Sequence, residues 1–359
     1  MTVPSRVLRL PAFLPVAVLC TYAGGLASAA QRPEIETLTA VAALPAHIAG
    51  SFQQISSCQQ TAGGDYFIFD RRSHAVFVAP AGFESARKLI TIGAEPGRLL
   101  DPSAFDLASD ESFVVADAPG GQPRVQVFLN SGSTVSVFRI SGRALPRITF
   151  GNLVLGGLAA VEYTGRSVFL SQPELGALIA EYALDGRPLR TFGNLRKTGH
   201  EQDPGVHLAM NSGVVIANPA GGFFFVFLAG VPQFRKYDPA GRLLFDRHVE
   251  GPELDELVQA LPTTWARRRV DDGEIPIVMP SVHAAAADPA GNLWIATAAG
   301  ITYVYDSNGE KTRAVRFRGA GPLSPTAMSF TPKRRLLVTP GCYAFDPGRT
   351  RPGAVTPAR

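Results

Sequence analysis

The chain has little of what marks several protein classes. Its 359 residues include three Cys, four Met and two Trp, and only 18% of the side chains are charged. With 46% hydrophobic residues, this composition excludes an intrinsically disordered chain, which lacks the apolar surface to offset the entropy of ordering. No apolar run reaches the roughly 18 residues that a membrane-spanning helix requires. The composition therefore predicts a globular fold.

The chain also lacks a large net charge of either sign. The formal net charge is +4, and it falls to +2 without Arg6 and Arg9 near the N-terminus. Such a balance provides no basic surface of the kind that binds nucleic acid. Glycine and proline are abundant, at 36 and 29 residues, which excludes a coiled coil or a long helical bundle. What remains is a fold of short elements and many turns.

The first thirty residues have the three parts of a secretory signal. Two arginines precede the apolar stretch Leu10 to Leu19, and the small-residue triplet Ala27-Ser28-Ala29 follows it. Cleavage near Ala29 would make residues 1–29 a signal peptide and the protein periplasmic or secreted. Lipidation of Cys20 is an alternative, although Leu19 is larger than the residue that normally precedes a lipidated cysteine.

After such cleavage two cysteines remain, Cys58 and Cys342, one near each end of the chain. In an oxidising compartment an even pair predicts a disulfide. The alternative is a pair of buried free thiols that pack as small apolar residues. The disulfide is favoured because the fold derived next brings the chain ends together.

Short strand-like segments recur along the chain with turn formers between them. Three clear copies contain the runs Phe113–Ala116, Phe223–Phe227 and Leu293–Thr297, and the strand runs of three weaker copies begin at Tyr66, Ser167 and Leu336. The third predicted strands end 40 to 68 residues apart, at Phe77, Phe128, Tyr182, Tyr237, Tyr305 and Phe345. A four-stranded repeat of this length is typical of a propeller blade. We therefore predict an all-β, six-bladed propeller of four-stranded antiparallel blades over residues 51–347.

The ends of the chain and one long gap complete this organisation. The last repeat has room for only three strands before a Pro-rich tail, residues 348–359, which we expect to be disordered. Within residues 30–50, the alternating segment Ile35–Val41 is expected to supply the missing strand and close the ring. Between blades 4 and 5, Pro252–Leu261 has apolar residues at helical spacing, which predicts one short amphipathic helix across one face, where the insertion would either plug the channel or act as a lid.

One repeat carries a family resemblance. The sequence Asp288-Pro-Ala-Gly-Asn-Leu-Trp-Ile-Ala-Thr297, followed by Tyr303-Val-Tyr-Asp306 and Gly309, resembles the blade of NHL-repeat propellers and of the related gluconolactonase and streptogramin-lyase propellers. The resemblance extends over about residues 52–346 and is specific for architecture. The chain also resembles a secreted, largely uncharacterised bacterial branch of six-bladed propellers.

The resemblance implies two kinds of enzyme site in the central channel. Gluconolactonase-like propellers bind a divalent cation with a Glu, two amides and an Asp; here Glu162 and Asn211 match, but Ser281, His283 and Thr326 stand where further ligands are required. Streptogramin-lyase propellers use His and Glu as acid and base, for which His207, His283 and Glu162 are the candidates. We place His207–Asn211 on the innermost strand of blade 4.

Two further segments contain candidate binding residues. The stretch Thr198–His207 holds two imidazoles and two carboxylates, including His200 and Glu201, which are suitable metal ligands, but its spacing matches no established motif. After the predicted helix come Trp265 and the triplet Arg267, Arg268 and Arg269, followed by acidic residues. The triplet would bind a carboxylate or phosphate if it faced the site, or else pair with those acids on the surface.

These patterns favour a binding or protein-interaction module with its small-molecule or protein ligand on one face of the ring. The rival hypothesis is a metal-dependent lactonase-like hydrolase or a streptogramin-lyase-like enzyme that uses the channel His and Glu residues. The one cofactor that these hypotheses imply is a divalent metal, for the lactonase-like hydrolase. We expect no nucleic-acid partner.

Overall fold

The fold is known from a computed structural model that describes residues 35–140, 148–150, 153–155, 158–270 and 273–348. The predicted signal peptide and the tail after Gly348 lie outside these residues. The described chain is an all-β, six-bladed propeller, as predicted, with four-stranded antiparallel blades 1 to 5 and a three-stranded blade 6. No helix within the described ranges is both long and apolar enough to cross a bilayer.

The strands of each blade follow one another along the chain. Blade 1 is Ile55–Gln60, Tyr66–Asp70, Ala75–Ala79 and Arg87–Ile90; blade 2 is Ala104–Leu107, Phe113–Asp117, Arg124–Phe128 and Thr134–Arg139. Blade 3 is Val161–Tyr163, Ser167–Ser171, Ala177–Ala183 and Pro188–Asn194; blade 4 is Gly213–Ala217, Phe223–Phe227, Gln233–Tyr237 and Leu243–His248. Blade 5 is Val282–Ala287, Leu293–Thr297, Thr302–Tyr305 and Lys311–Arg318; blade 6 is Ala327–Phe330, Leu336–Thr339 and Tyr343–Phe345.

A few elements lie outside the blades. The strand Glu36–Thr39 precedes blade 1, two hairpins precede blades 3 and 5, and a short strand follows blade 5: Ile148–Phe150 with Leu153–Leu155, Arg267–Val270 with Gly273–Pro276, and Pro322–Leu323. The helices are α1, Ala46–Ala49, α2, Pro204–Met210, and α3, Asp255–Gln259. Three single 3₁₀ turns are Pro119–Gly121, Pro173–Leu175 and Pro252–Leu254.

The first strand of every blade lies at the centre of the ring. These six strands contact one another in chain order, and the first strand of blade 6 contacts that of blade 1. The second strand of each blade is packed between the two neighbouring blades, so it is apolar on both faces. The run Phe223–Phe227 and Trp294 are buried for this reason, which makes them interblade packing rather than a ligand surface.

Three connections close the ring between blades 6 and 1. Cys58 and Cys342, the pair predicted from the sequence, are joined in a disulfide with Cα atoms 5.7 Å apart. The Ser329 hydroxyl donates a hydrogen bond of 2.8 Å to the Cys58 carbonyl. The N-terminal segment reaches blade 6 through a bridge between Ala42 and Ala344.

The N-terminal strand itself lies elsewhere than we expected. Glu36–Thr39 pairs in parallel with the outermost strand of blade 5, where Glu36 opposes Val315, and only the end of the segment, at Val41 and Ala42, bonds to Ala344 of blade 6. Glu36 also accepts an ion-paired hydrogen bond of 2.7 Å from Arg313. The segment therefore contacts two blades: its strand pairs with blade 5, and Ala42, after the strand ends, bridges to blade 6.

The helical insertion after blade 4 does form, but it does not plug the channel. Leu254 is buried against the core between blades 4 and 5, and Glu253 accepts a hydrogen bond of 2.7 Å from the Tyr303 hydroxyl on the third strand of blade 5. Lys311, on the fourth strand, donates to the Glu250 carbonyl. These partners belong to outer strands, so the insertion lies at the periphery of the ring.

A further expectation was wrong in blade 4. Residues His207–Asn211 do not form its innermost strand, since Pro204–Met210 is α2, and the strand begins at Gly213. Pro204 at the start of the helix has no N–H to leave unpaired, and Asp203 caps it by accepting from the Val206 N–H. These local signals outweigh the repeat register that suggested a strand.

Candidate functional site

The two faces of the ring are distinguished by strand direction. We call the face where the innermost strands begin the upper face and the face where they end the lower face. Connections between blades, including α2 and the hairpin Arg267–Pro276, lie on the upper face. Loops on one face of a rigid scaffold are the usual place for binding residues.

Near the lower face, polar side chains link the innermost strands of adjacent blades. Gln59 accepts from the Leu107 N–H of blade 2 at 3.0 Å and donates to the Asp106 carboxylate at 3.0 Å. Asp106 in turn accepts from the Tyr163 N–H of blade 3 at 2.7 Å. Glu162 accepts from the Ala217 N–H of blade 4 at 3.0 Å.

These interblade links recur at one position. Gln59, Asp106, Glu162 and Ser329 are each the second-last residue of their innermost strand, and each bonds to the main chain of the following blade. Blades 4 and 5 have Ile216 and Ala286 at this position, and both side chains are buried among apolar neighbours. At this position the junctions from blade 6 to 1, 1 to 2, 2 to 3 and 3 to 4 are thus hydrogen-bonded, whereas the junctions from blade 4 to 5 and 5 to 6 are apolar.

Asp106 and Glu162 have perturbed acidities. Burial raises the pKa of Asp106 to about 6, against the opposing effect of its hydrogen bonds from Tyr163 and Gln59. Burial, together with the nearby charge of Asp106, raises the pKa of Glu162 well above its ordinary value. Both side chains keep some contact with solvent, as expected for groups in the channel wall.

Among the predicted catalytic residues, His283 lies on the innermost strand of blade 5. The strand register shifts between Val282 and Ala284, so His283 is the extra residue of a β-bulge, a feature that redirects a side chain. Its imidazole is half-buried and makes no hydrogen bond with the described residues, and burial lowers its pKa. It stands near the upper face, four residues and about 13 Å before the strand end at Ala287.

His207 occupies a different place, on α2. Its Nδ1 lies 2.7 Å from the Thr198 hydroxyl and 4.0 Å from the Glu201 carboxylate. Glu201 accepts from the Thr198 and Gly199 main-chain N–H groups, which lowers its pKa. His207 and Glu201 are therefore held together by one turn of chain, while Glu162 and His283 belong to separate groups.

Three of the predicted binding residues, His200, Trp265 and Arg267, join two upper-face connections to each other. We call these connections, residues 195–212 and 261–281 apart from 271–272, the arch; they flank blade 4. Trp265 donates from its indole to His200 Nε2 at 3.3 Å, with the two rings edge to face. Arg267 forms an ion pair with Asp203, the cap of α2. Val206 and Val278 pack together beneath these contacts.

The Arg triplet is divided by its strand. Arg267 faces Asp203 in the other half of the arch, whereas Arg268 and Arg269 oppose Ile275 and Glu274 across the hairpin. Neither Arg268 nor Arg269 forms an ion pair with the described residues. Of the acids just after the triplet, Glu274 opposes Arg269 across the hairpin, and Asp271 and Asp272 lie outside the described residues.

Asn211 does not fit the cation site implied by the resemblance. It is fully buried, its carbonyl accepts from the Arg196 N–H at 2.8 Å, and its amide donates to the carbonyls of Arg196 and His207. Within the described residues, no three His, Cys, Asp or Glu side chains are grouped so that they could hold a metal ion. The residues present therefore do not fit that metal.

Asp106 was missed by the sequence reasoning. It lies on the innermost strand Ala104–Leu107 of blade 2, whereas the sequence analysis offered no Asp for the cation site that the resemblance implies. The available signal was a single carboxylate between Phe105 and Leu107. Because side chains alternate between the two faces of a strand, such a carboxylate faces a neighbouring blade. Gln59 was missed in the same way.

Comparison with known proteins identifies fold neighbours only. No protein-family model matches the chain, and no curated protein matches it. Among solved structures, virginiamycin B lyase from Staphylococcus aureus is similar over 80% of each chain, with a TM-score of 0.47 and 9% identity. A catalytically inactive variant of that lyase with quinupristin has a TM-score of 0.48 and 8% identity, over 80% of this chain and 77% of that one. A protein of unknown function from Bacteroides caccae has a TM-score of 0.44 and 11% identity, over 73% of this chain and 81% of that one.

Proposed function

We propose that the protein is an exported binding module whose ligand site lies on the upper face, between the arch and His283. The observation that carries the proposal is the arch itself. Its two connections are bound to each other by the His200–Trp265 and Arg267–Asp203 contacts, which the ring does not need for its closure. A rigid platform beside the channel lowers the entropic cost of binding.

The surface between the arch and the channel has mixed chemistry. Met279 is 57% exposed at the end of the arch, and Trp265 is half-buried within it. His283 follows the arch by two residues and offers a neutral imidazole with free hydrogen-bonding capacity. Such a site suits a ligand with an apolar body and one hydrogen-bonding group.

The enzyme hypothesis has less support. A general acid and base must both reach the reacting atoms, yet His283 and Glu162 stand towards opposite ends of the innermost strands, and His207 bonds to Thr198. Lactones are therefore expected to bind, if they bind, without turnover.

A ligand screen with matched variants tests the proposal. Thermal unfolding is measured with a library of small carboxylates, phosphates, sugars and lactones, and each hit is repeated with Met279→Ser and His283→Ala. Leu244→Ser is the control, because Leu244 is 56% exposed on the outer edge of blade 4. We expect hits to lose their stabilising effect in the first two variants and to keep it in the control.

Two results would overturn the proposal. Hits that stabilise all three variants equally would place the site elsewhere. Turnover of a lactone by the wild type that disappears in His207→Ala would establish the enzyme instead.

A further inference from the structure

We propose that the outer part of the hairpin half of the arch is a lid, which opens and closes one wall of the upper-face ligand site. The lid comprises residues 262–275 apart from 271–272, and the other half of the arch, residues 195–212, is its seat. The two halves are attached to the ring in unequal ways, which carries the inference. The role of the lid rests on the proposed ligand site, whereas its movement requires no ligand.

The seat is fixed to blade 4 by the side chain of Arg196. Its guanidinium donates to the Gln233 side chain at 2.8 Å and to the Val231 carbonyl at 3.1 Å, and both partners belong to blade 4. It also donates to the Met210 carbonyl at the end of α2, at 2.9 Å, and lies 4.1 Å from the centroid of the Phe227 ring. Charge-assisted hydrogen bonds and stacking on an aromatic face are among the stronger polar contacts in proteins. We therefore expect the seat to move with blade 4.

The base of the hairpin half is fixed as well. The Ser281 N–H donates to the Leu228 carbonyl of blade 4 at 2.8 Å, and Val278 is fully buried in the apolar cluster beneath the arch. Pro276 lies against Gly205 of α2, where an added Cβ would be 3.2 Å from the proline ring. These contacts end at Pro276, so residues before it form the part that can move.

The lid itself is attached by side chains alone. Among the described residues, its main-chain hydrogen bonds stay within the hairpin half. The Trp265 ring packs against the cluster beneath the arch and its N–H donates to His200, and Arg267 pairs with Asp203. A neutral hydrogen bond and a partly exposed ion pair are both weak contacts. The lid can therefore open while the seat and the blades stay folded.

Opening of the lid changes the ligand site. The closed lid holds Trp265 near the exposed Met279 side chain and forms the rigid wall that favours binding. The open lid removes that wall, so a ligand can enter or leave. Elements of this kind act mainly on the rate at which a ligand dissociates.

Hydrogen–deuterium exchange of the full chain tests the lid without a ligand. In the double variant Trp265→Ala/Arg267→Ala, lid amides should exchange about ten-fold faster than in the wild type, because an undocked two-stranded hairpin is marginally stable. The amides of α2 should keep their exchange rates. Arg242→Ala is the control, because it removes an exposed ion pair with Asp238 in blade 4 and should change neither segment. Equal acceleration in α2 and the lid, or an unchanged lid, would overturn the proposal.

Two further measurements cover the wild type and the role of the lid. Trypsin should cut the native wild type within Arg267–Arg269 before it cuts at Lys197, the exposed basic residue of the seat; the reverse order would overturn the proposal even if the double variant folds poorly. Any carboxylate, phosphate, sugar or lactone that binds in the ligand screen should dissociate about three-fold faster from Arg267→Ala. An unchanged dissociation rate would overturn the role of the lid at the site. Failure of the whole screen would count against the ligand site alone, since exchange and proteolysis report on the lid directly.

Discussion

The junctions between blades 1 and 4 and those between blades 4 and 6 solve the same packing problem with different chemistry. In the first group a side chain at the second-last position of the innermost strand hydrogen-bonds to the next blade. In the second group the same position holds Ile216 or Ala286 and contributes apolar packing. One repeated fold thus accepts either kind of contact, and only the hydrogen-bonded kind uses titratable side chains, Asp106 and Glu162.

This difference has an energetic consequence. A hydrogen bond to a buried main-chain N–H contributes about 1 kcal/mol, but leaving that N–H unpaired costs about 1–3 kcal/mol. Burial of an Ile contributes a comparable amount through area removed from water. The two halves of the ring therefore differ less in strength than in their response to pH. The predictions below separate these quantities, in order of decreasing effect.

The closure between blades 6 and 1 should show the largest effect. The Cys58–Cys342 disulfide closes a loop with a sequence separation of 284, which strongly restricts the unfolded chain. Replacing both cysteines with Ala should lower the free energy of unfolding by about 3–5 kcal/mol, as measured by urea denaturation. Reduction of the wild type should reproduce most of this loss, and a change below 1 kcal/mol would show that the other closing contacts suffice.

The apolar junction comes next. Ile216→Ala should lower the free energy of unfolding by about 3 kcal/mol, because the residue is buried between blades 4 and 5 and its removal leaves a cavity. The loss should be the same at pH 5 and pH 8, since the residues described in its cluster are aliphatic or aromatic and carry no group that titrates in this range. Ile216→Val serves as a graded control, with an expected loss of about 1 kcal/mol; a pH-dependent loss would contradict the comparison.

The hydrogen-bonded junction should respond differently. Gln59→Leu leaves the Leu107 N–H unpaired and removes a donor from Asp106, at an expected cost of about 2 kcal/mol. Losing that donor raises the pKa of Asp106 further, so the destabilisation should be larger at pH 8 than at pH 5. Chemical denaturation at both pH values measures this, and an equal loss at both would be inconsistent with a link through Asp106.

The arch should contribute least to stability. Arg267→Ala removes an ion pair with Asp203 whose side chains are 41% and 33% exposed, so the expected loss is below about 1 kcal/mol. The same variant should also lower the binding affinity of any ligand that is found for the upper face. Thermal unfolding and the ligand screen check both parts, and a loss above 2 kcal/mol would mean that the arch stabilises the ring.

The sequence predicts the blades well and the positions of functional side chains poorly. Runs such as Phe223–Phe227 with their flanking turns specify second strands, because a strand between two blades must be apolar on both faces. His207 was misplaced because local capping by Asp203 and Pro204 formed a helix where the repeat predicted a strand. Glu162 does lie on an innermost strand, but the bonds that Asp106 and Glu162 make depend on the register between blades, which no local pattern contains.

The contrast in pH response between the two halves of the ring is tested most directly by carbon-13 NMR of the side-chain carboxyl groups, in protein labelled at Asp and Glu and titrated from pH 3 to pH 9. Assignment comes from Asp106→Asn and Glu162→Gln. We predict that the Asp106 signal titrates with a midpoint of about 6 and that Glu162 titrates well above the ordinary range. Midpoints near 4 for both groups would show that burial in the channel wall raises neither pKa, and the contrast between the two halves of the ring would then be one of packing alone.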